Sequence, residues 1–144
     1  MFRTILVAID PAHGDDAALA LRMAASLLGD DGELVLFAVV GPKGSDFFPH
    51  VPEQTPDEDD DSTADKLEML GRKYLQPDVA RRILVDHGAT PAQAIVEGAL
   101  REQADLAVLV SHGEGGHWPL PRHTVEYVSV NAPCAALILR PEGG

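Results

Sequence analysis

The stretch Ala104-Asp-Leu-Ala-Val-Leu-Val-Ser-His-Gly113 decides how this chain folds. Its first half sets Leu106 to Val110 as a continuous apolar run, the kind that is buried on both faces of a parallel sheet. Its second half breaks at once into polar Ser111-His112 and then Gly113, a turn signal. The chain opens with a matching unit, Thr4-Ile-Leu-Val-Ala-Ile-Asp10. Asp10 and Ser111-His112-Gly113 are therefore expected just past the carboxyl ends of two strands. In open parallel sheets that edge is where ligands bind.

Working outward, Glu33 to Val40, Val79 to Val85 and Ala135 to Leu139 read as three further strands. Helical segments alternate with them. Gly14-Asp15-Asp16 supplies capping residues and negative charge for a helix that puts Ala18, Leu21, Ala25 and Leu28 on one stripe and is closed by Gly29. Ser62-Thr-Ala-Asp65 resembles a capping box ahead of a second helix with Leu67, Leu70 and Tyr74 on its apolar stripe. Thr90-Pro91-Ala-Gln93 combines an N-cap, a proline at the first helical position and a reciprocal glutamine. The third helix so begun buries Ile95, Val96, Ala99 and Leu100. A short fourth helix covers about Thr124 to Val130. Strands alternating with helices predict a doubly wound, open parallel sheet of five strands in the order 3-2-1-4-5, with helices on both faces and right-handed crossovers. The chain reads as one domain over residues 1–144 without an internal repeat. Residues 41–61, with four prolines and the acidic run Asp57 to Asp61, read as a flexible loop.

Composition narrows the function. The chain has 144 residues, of which 45% are hydrophobic, enough for one domain with a full core. The 11 basic against 23 acidic residues give a formal net charge of −12. Such a surface repels phosphate backbones, which argues against nucleic acid and anionic membranes as partners. It fits either a highly soluble protein or one adapted to a saline cytoplasm. No apolar run approaches the roughly 20 residues that cross a bilayer. Met1-Phe-Arg-Thr leads straight into a strand, and the single cysteine, Cys134, fits a reducing compartment, so a cytoplasmic location is expected.

With the order 3-2-1-4-5, Asp10 and Ser111-His112-Gly113 flank the gap between strands one and four, where crossovers go to opposite faces. An aspartate there can accept hydrogen bonds from a ribose or a base. A glycine lets backbone N–H groups approach a phosphate, and a helix start at Thr124 favours anions.

Four segments, Ile5-Leu-Val-Ala-Ile-Asp10, Gly88-Ala-Thr-Pro-Ala-Gln-Ala-Ile95, Ala104 to Gly113 and Asn131-Ala-Pro-Cys134, resemble those of universal stress proteins in order and spacing, over nearly the whole chain. The resemblance implies the same 3-2-1-4-5 sheet, a homodimer paired through the last strand (Ala135, Ala136, Leu137, Ile138 and Leu139) and a non-catalytic regulatory role in stress. Some members of that family bind ATP and others do not, so ATP or AMP is the cofactor the resemblance implies. Its ATP motif, Gly-x2-Gly-x9-Gly-[Ser/Thr], falls on Val110, Gly113, His123 and Thr124. Val110 and His123 thus replace two glycines, and Glu114 adds a carboxylate beside the phosphate position. Thr124 and Asp10 keep the family roles, Ala8 and Val39 match adenine contacts, and Gly115 and Gly116 offer another phosphate-accepting path. The departures favour a weakened or altered nucleotide pocket over an intact ATP site.

Other constellations carry less. His112, His117 and His123, with His13 across the crevice, match no standard metal-ligand spacing, and no metal is assigned. Cys134 reads as a small packed hydrophobe, since no cationic neighbour in sequence would lower its thiol pKa. Trp118 covers an apolar patch or stacks on a base. Ser111, His112 and Asp10 lack the Gly-x-Ser-x-Gly elbow of a serine hydrolase, and adjacent strand residues point opposite ways. A competing reading is a phospho-receiver domain with Asp10 as metal-binding acid and Asp86 as phosphoacceptor. Pro11 and Arg140 stand where that reading needs a second acid and a lysine.

Overall fold

A computed structural model describes residues 1–40, 56–87, 90–111 and 122–141. Nine elements alternate along the chain: β1 (Phe2–Ala8), α1 (Gly14–Leu27), β2 (Leu28–Val40), α2 (Pro56–Tyr74), β3 (Arg81–His87), α3 (Pro91–Arg101), β4 (Leu106–Val110), α4 (Arg122–Asn131) and β5 (Ala135–Leu139). The strands form one five-stranded sheet in the order β3-β2-β1-β4-β5, every pairing parallel. The fold expected from the sequence is the fold observed.

Side-chain alternation divides the core into two layers. Ile5, Val7 and Ile9 of β1, Leu34, Leu36 and Ala38 of β2, and Leu106, Val108 and Val110 of β4 pack with Ala17, Leu21 and Ala24 of α1 and Leu67 of α2. Leu6, Phe37, Val39, Ala107 and Leu109 project the other way, onto Ala94, Ile95 and Ala99 of α3 and Val128 of α4. The chain thus winds from β1 through β2 to β3 with α1 and α2 on one face. It then returns through α3 to β4 and β5 with α3 and α4 on the opposite face. A right-handed crossover that reverses direction must change faces, so the reversal opens a crevice between β1 and β4.

Two clips hold those strands in register. Ile5 pairs with Leu106 and Val7 with Val108. At the amino ends, the Asp105 carboxylate accepts from the backbone N–H groups of Arg3 and Thr4, both at 2.9 Å, while Asp105 N–H donates to Thr4 O at 2.9 Å.

Several boundaries differ from expectation. Gly29 lies in β2, and Leu28 caps α1 with its N–H on Ala25 O. The regular β1–β2 ladder begins at Thr4 and Glu33, but an irregularity ahead of it also pairs Phe2 with Leu28. That bulge crowds Gly32, where a Cβ would meet Leu28 Cδ1 at 2.5 Å and Arg3 O at 2.9 Å. His13, rather than the Gly14-Asp15-Asp16 segment, is the α1 N-cap, and no side-chain hydrogen bond caps it; Asp15 and Asp16 sit in the first turn. α2 starts at Pro56, so residues 56–61, expected as loop, are helical and Ser62 is not a cap. A proline at the first position followed by carboxylates suits a helix amino terminus, which outweighs the solvation argument for the acidic run. Residues 41–55 of the expected loop lie outside the described residues.

β3 begins two residues later than expected, because the Arg81 guanidinium draws the α2 carboxyl terminus closed with bonds to Gly71 O and Gln76 O at 2.7 Å and Val79 O at 3.1 Å. Thr90 caps α3 as expected, its hydroxyl accepting from Gln93 N–H at 3.2 Å. Leu100, expected in the core, is 65% exposed. Gly98 faces the sheet instead, so close that a Cβ there would lie 3.0 Å from Phe37 Cε1, and position 100 is carried round to solvent.

Candidate functional site

The crevice is built from the two strand ends that the fold sets side by side. Continuing the β1–β4 register three residues beyond Val7 and Val108 brings Asp10 level with Ser111. Both ends are fixed by backbone bonds: Ile9 N–H donates to Phe37 O and Ser111 N–H to Leu139 O, each at 2.8 Å. α4 lies over the same end, with Thr124 as its third residue. The described residues hold three buried polar or charged side chains, Asp10, Ser111 and Thr124, at 5%, 3% and 1% exposure. All three belong to this one edge of the sheet.

Asp10 is enclosed in a tight turn. Its Oδ1 accepts from Ala12 N–H at 2.9 Å, and its Oδ2 lies 2.7 Å from His13 Nδ1. Burial pushes its carboxyl pKa up; the Ala12 N–H and His13 oppose the rise, and nearby Asp16 adds to it. The Asp10–His13 pair was not read from the sequence, although three-residue spacing across a strand-to-helix turn could have signalled it. Thr124 lies in the first turn of α4, where backbone N–H groups have no intrahelical acceptor and anions are favoured. Its hydroxyl has no hydrogen-bond partner among the described residues.

The universal stress protein family matches this sequence over residues 1–140. The chain belongs to that family. Among curated proteins, none matches this sequence. Solved universal stress proteins and their structural relatives share the fold at low identity. The hypothetical protein MJ0577, described as a structure-based assignment of biochemical function, is 19% identical, with a TM-score of 0.74 over 98% of this chain and 97% of its own. A universal stress protein family member from Arabidopsis thaliana with AMP bound is 16% identical, with a TM-score of 0.62 over 96% of this chain and 91% of that one. The universal stress protein from Archaeoglobus fulgidus in complex with dAMP is 18% identical, with a TM-score of 0.61 over 94% and 96%.

In this universal stress protein, Ala8 and Val39 join the layer beneath α3 and α4. Val110, the residue at the first motif glycine, belongs to the other layer and is 3% exposed, so its side chain fills core under α1. His123 lies within α4 by its backbone. His112, Gly113, Glu114, Gly115, Gly116, His117 and Trp118 lie outside the described residues. Among the described residues, no group of three or more His, Cys, Asp or Glu could hold a metal, and no helix is long and apolar enough to cross a membrane. Cys134 packs beside the α3/α4 layer, and burial together with Asp105 raises its thiol pKa, the opposite of a redox-sensor environment.

The phospho-receiver reading fails on topology. Asp86 is on β3, paired with Val39 of β2, so a whole strand separates it from β1. Two strand spacings amount to roughly 9.5 Å. Asp86 Oδ1 accepts from His87 N–H at 2.8 Å, and its Oδ2 lies 3.4 Å from Arg101. It shares no site with Asp10.

Proposed function

We propose that this protein is a non-catalytic stress-response regulator that takes an adenine nucleotide, ATP or AMP, in the β1–β4 crevice and acts as a cytoplasmic homodimer. The observation that carries the reading is the gathering of Asp10, Ser111 and Thr124, the buried polar side chains among the described residues, at the one sheet edge where the winding of the chain across the sheet reverses. Burying polar groups costs free energy unless they find partners. The Thr124 hydroxyl, enclosed yet unbonded to any described residue, fits a ligand that supplies one. The relatives with AMP and dAMP support the ligand class.

The non-catalytic part rests on Ser111. Its N–H belongs to the β4–β5 ladder, and it stands on no nucleophile elbow. Dimerisation rests on β5, an edge strand paired only with β4 among the described residues and carrying the half-buried Ala136, Leu137, Ile138 and Leu139. An apolar edge of this kind is prone to pair with another chain.

Two measurements test the reading. Nucleotide released by heat from the purified protein, or a melting-temperature rise with AMP or ATP that Asp10→Ala abolishes, is the expected result. Absence of both leaves a scaffold without a ligand and sinks the proposal. Light scattering at micromolar concentration is expected to report a dimer.

A further inference from the structure

We propose that the groove between α1 and α2 is a docking site for an amphipathic helix of another protein, one that carries carboxylates beside its apolar face. The proposal stands apart from the nucleotide reading, because none of Asp10, Ser111 and Thr124 lines this groove.

α1 carries two stripes. Ala17, Ala20, Leu21 and Ala24 enter the core. Asp15, Ala18, Leu19, Arg22, Met23 and Ser26 recur at three- and four-residue spacing and so run along one side of the helix. Together with Tyr74 of α2 this second stripe bounds a groove of about 540 Å3. The small side chain of Ala18 is buried, while Met23 stands 36% exposed. The groove thus pairs an apolar lining with a flexible thioether, which adapts to side chains set against it.

Charge indicates what the groove receives. The Arg22 guanidinium lies 5.3 Å from the centroid of the Tyr74 ring, and Lys73 Nζ lies 5.2 Å from it. Two cations are therefore gathered on one aromatic ring. Among the described residues neither is ion-paired with a carboxylate, whereas Arg72, on the same turn of α2, lies 3.7 Å from Glu68. A neutral occupant would strip water from these cations and return nothing, while a carboxylate restores the lost interaction. Asp15 marks the other end of the stripe, about 10 Å along the axis from Arg22. The acids of the occupant therefore belong at the end near Arg22 and Tyr74.

Backbone bonding favours a helix over an extended peptide. Both walls are α-helices whose N–H and C=O groups bond within themselves, so a strand laid here would bury unpaired groups of its own. A helix arrives with its bonds already made. The Ser26 hydroxyl donates to Met23 O at 2.7 Å, so covering the groove leaves that donor paired.

A pair of probe peptides tests the proposal against the chain's overall charge. Each has the 14-residue length of α1, with Leu and Ala on one face; one carries Glu on the other face and its counterpart carries Lys. The formal net charge of −12 by itself selects the Lys peptide, whereas the groove selects the Glu peptide. Fluorescence anisotropy with the full-length protein is expected to show the Glu peptide bound at least about tenfold more tightly. Arg22→Glu and Lys73→Glu should each weaken it about tenfold or more, and Arg140→Glu, an equal change of charge on the far side of the sheet, less than about threefold. Melting temperatures of the variants check their folding. Preference for the Lys peptide, no binding of the Glu peptide, or an equal loss in Arg140→Glu overturns the proposal. So does a fall in solution mass for Arg22→Glu in light scattering, which would assign the groove to a second copy of the chain. Without mutation, the methyl NMR signal of Met23 should move when the Glu peptide is added, and an unmoved signal refutes docking in this groove.

Discussion

Replacing Val110 with glycine restores the first glycine of the family's ATP motif, so motif matching predicts a better nucleotide site. The structure predicts the reverse balance, a damaged core and an unchanged pocket. Val110 ends β4, is 3% exposed and packs in the layer under α1, whereas Ser111, one residue on, falls on the opposite side by strand alternation. Removing three buried side-chain carbons costs about 2.4 kcal/mol at ~0.8 kcal/mol per CH2. Glycine within a strand costs about 0.5–1 kcal/mol more. For a chain of 144 residues the unfolding entropy averages ~0.3 kcal/mol per degree, so ~3 kcal/mol lowers the melting temperature by about 10 °C. Calorimetric melting of Val110→Gly, with and without AMP, reads both quantities. Nucleotide affinity should stay within about threefold of wild type. A variant that melts within ~2 °C of wild type, or binds AMP tenfold tighter, would show that Val110 faces the ligand and that the two-layer assignment of β4 is wrong.

Four further outcomes follow from particular contacts. Gly98→Ala should destabilise by ~1 kcal/mol or more, although alanine is the better helix former, because its Cβ would sit 3.0 Å from the ring of fully buried Phe37; urea unfolding decides the sign. Asp105→Ala should lower the urea midpoint by the equivalent of roughly 1–3 kcal/mol, since the N–H groups of Arg3 and Thr4 lose their acceptor. Burial raises the Asp105 pKa, but the backbone N–H groups of Arg3, Thr4 and Asp105 together hold it below the ordinary carboxylate value. The wild type should therefore keep this contribution above that range and lose it on acidification through the lowered pKa, with Asp105→Asn flattening the slope. Ala136→Pro should dissociate the proposed dimer in light scattering with little loss of melting temperature: Leu139 O faces β4, so alternation turns the N–H of Ala136 to the open edge.

The fold was legible because its signal is redundant. Five apolar runs at parallel-sheet spacing and three helix starts point to the same topology, and β4, β5 and the Thr90 cap emerge at the residues expected. Boundaries were less legible where two rules compete. The acidic run before Ser62 reads as solvated coil by composition and as a helix amino terminus by electrostatics, and the second wins from Pro56 onward. Leu100 reads as core by hydrophobicity, but the close seat of Gly98 on Phe37 sets the rotation of α3 and turns Leu100 out. The places of Asp10 and Ser111 in the fold were legible because strand ends are. Partners were not, since the bond between Asp10 and His13 depends on turn geometry that periodicity does not encode.

The two carboxylates at opposite ends of the β1–β4 pair sit in opposite electrostatic settings. At the amino end, backbone N–H groups hold Asp105 in its charged form, so folding gains from its ionisation. At the carboxyl end, burial dominates at Asp10 and raises its pKa despite Ala12 and His13, so the folded chain loses stability as pH rises through the interval above the ordinary carboxylate value. A position chosen for stability alone would not keep an acid in that setting. The clip at Asp105, the β1–β4 register and the Ile9 and Ser111 backbone bonds fix the geometry in which that acid sits. That geometry holds Asp10 against Ala12 and His13 at the same edge of the sheet where Ser111 and Thr124 are buried.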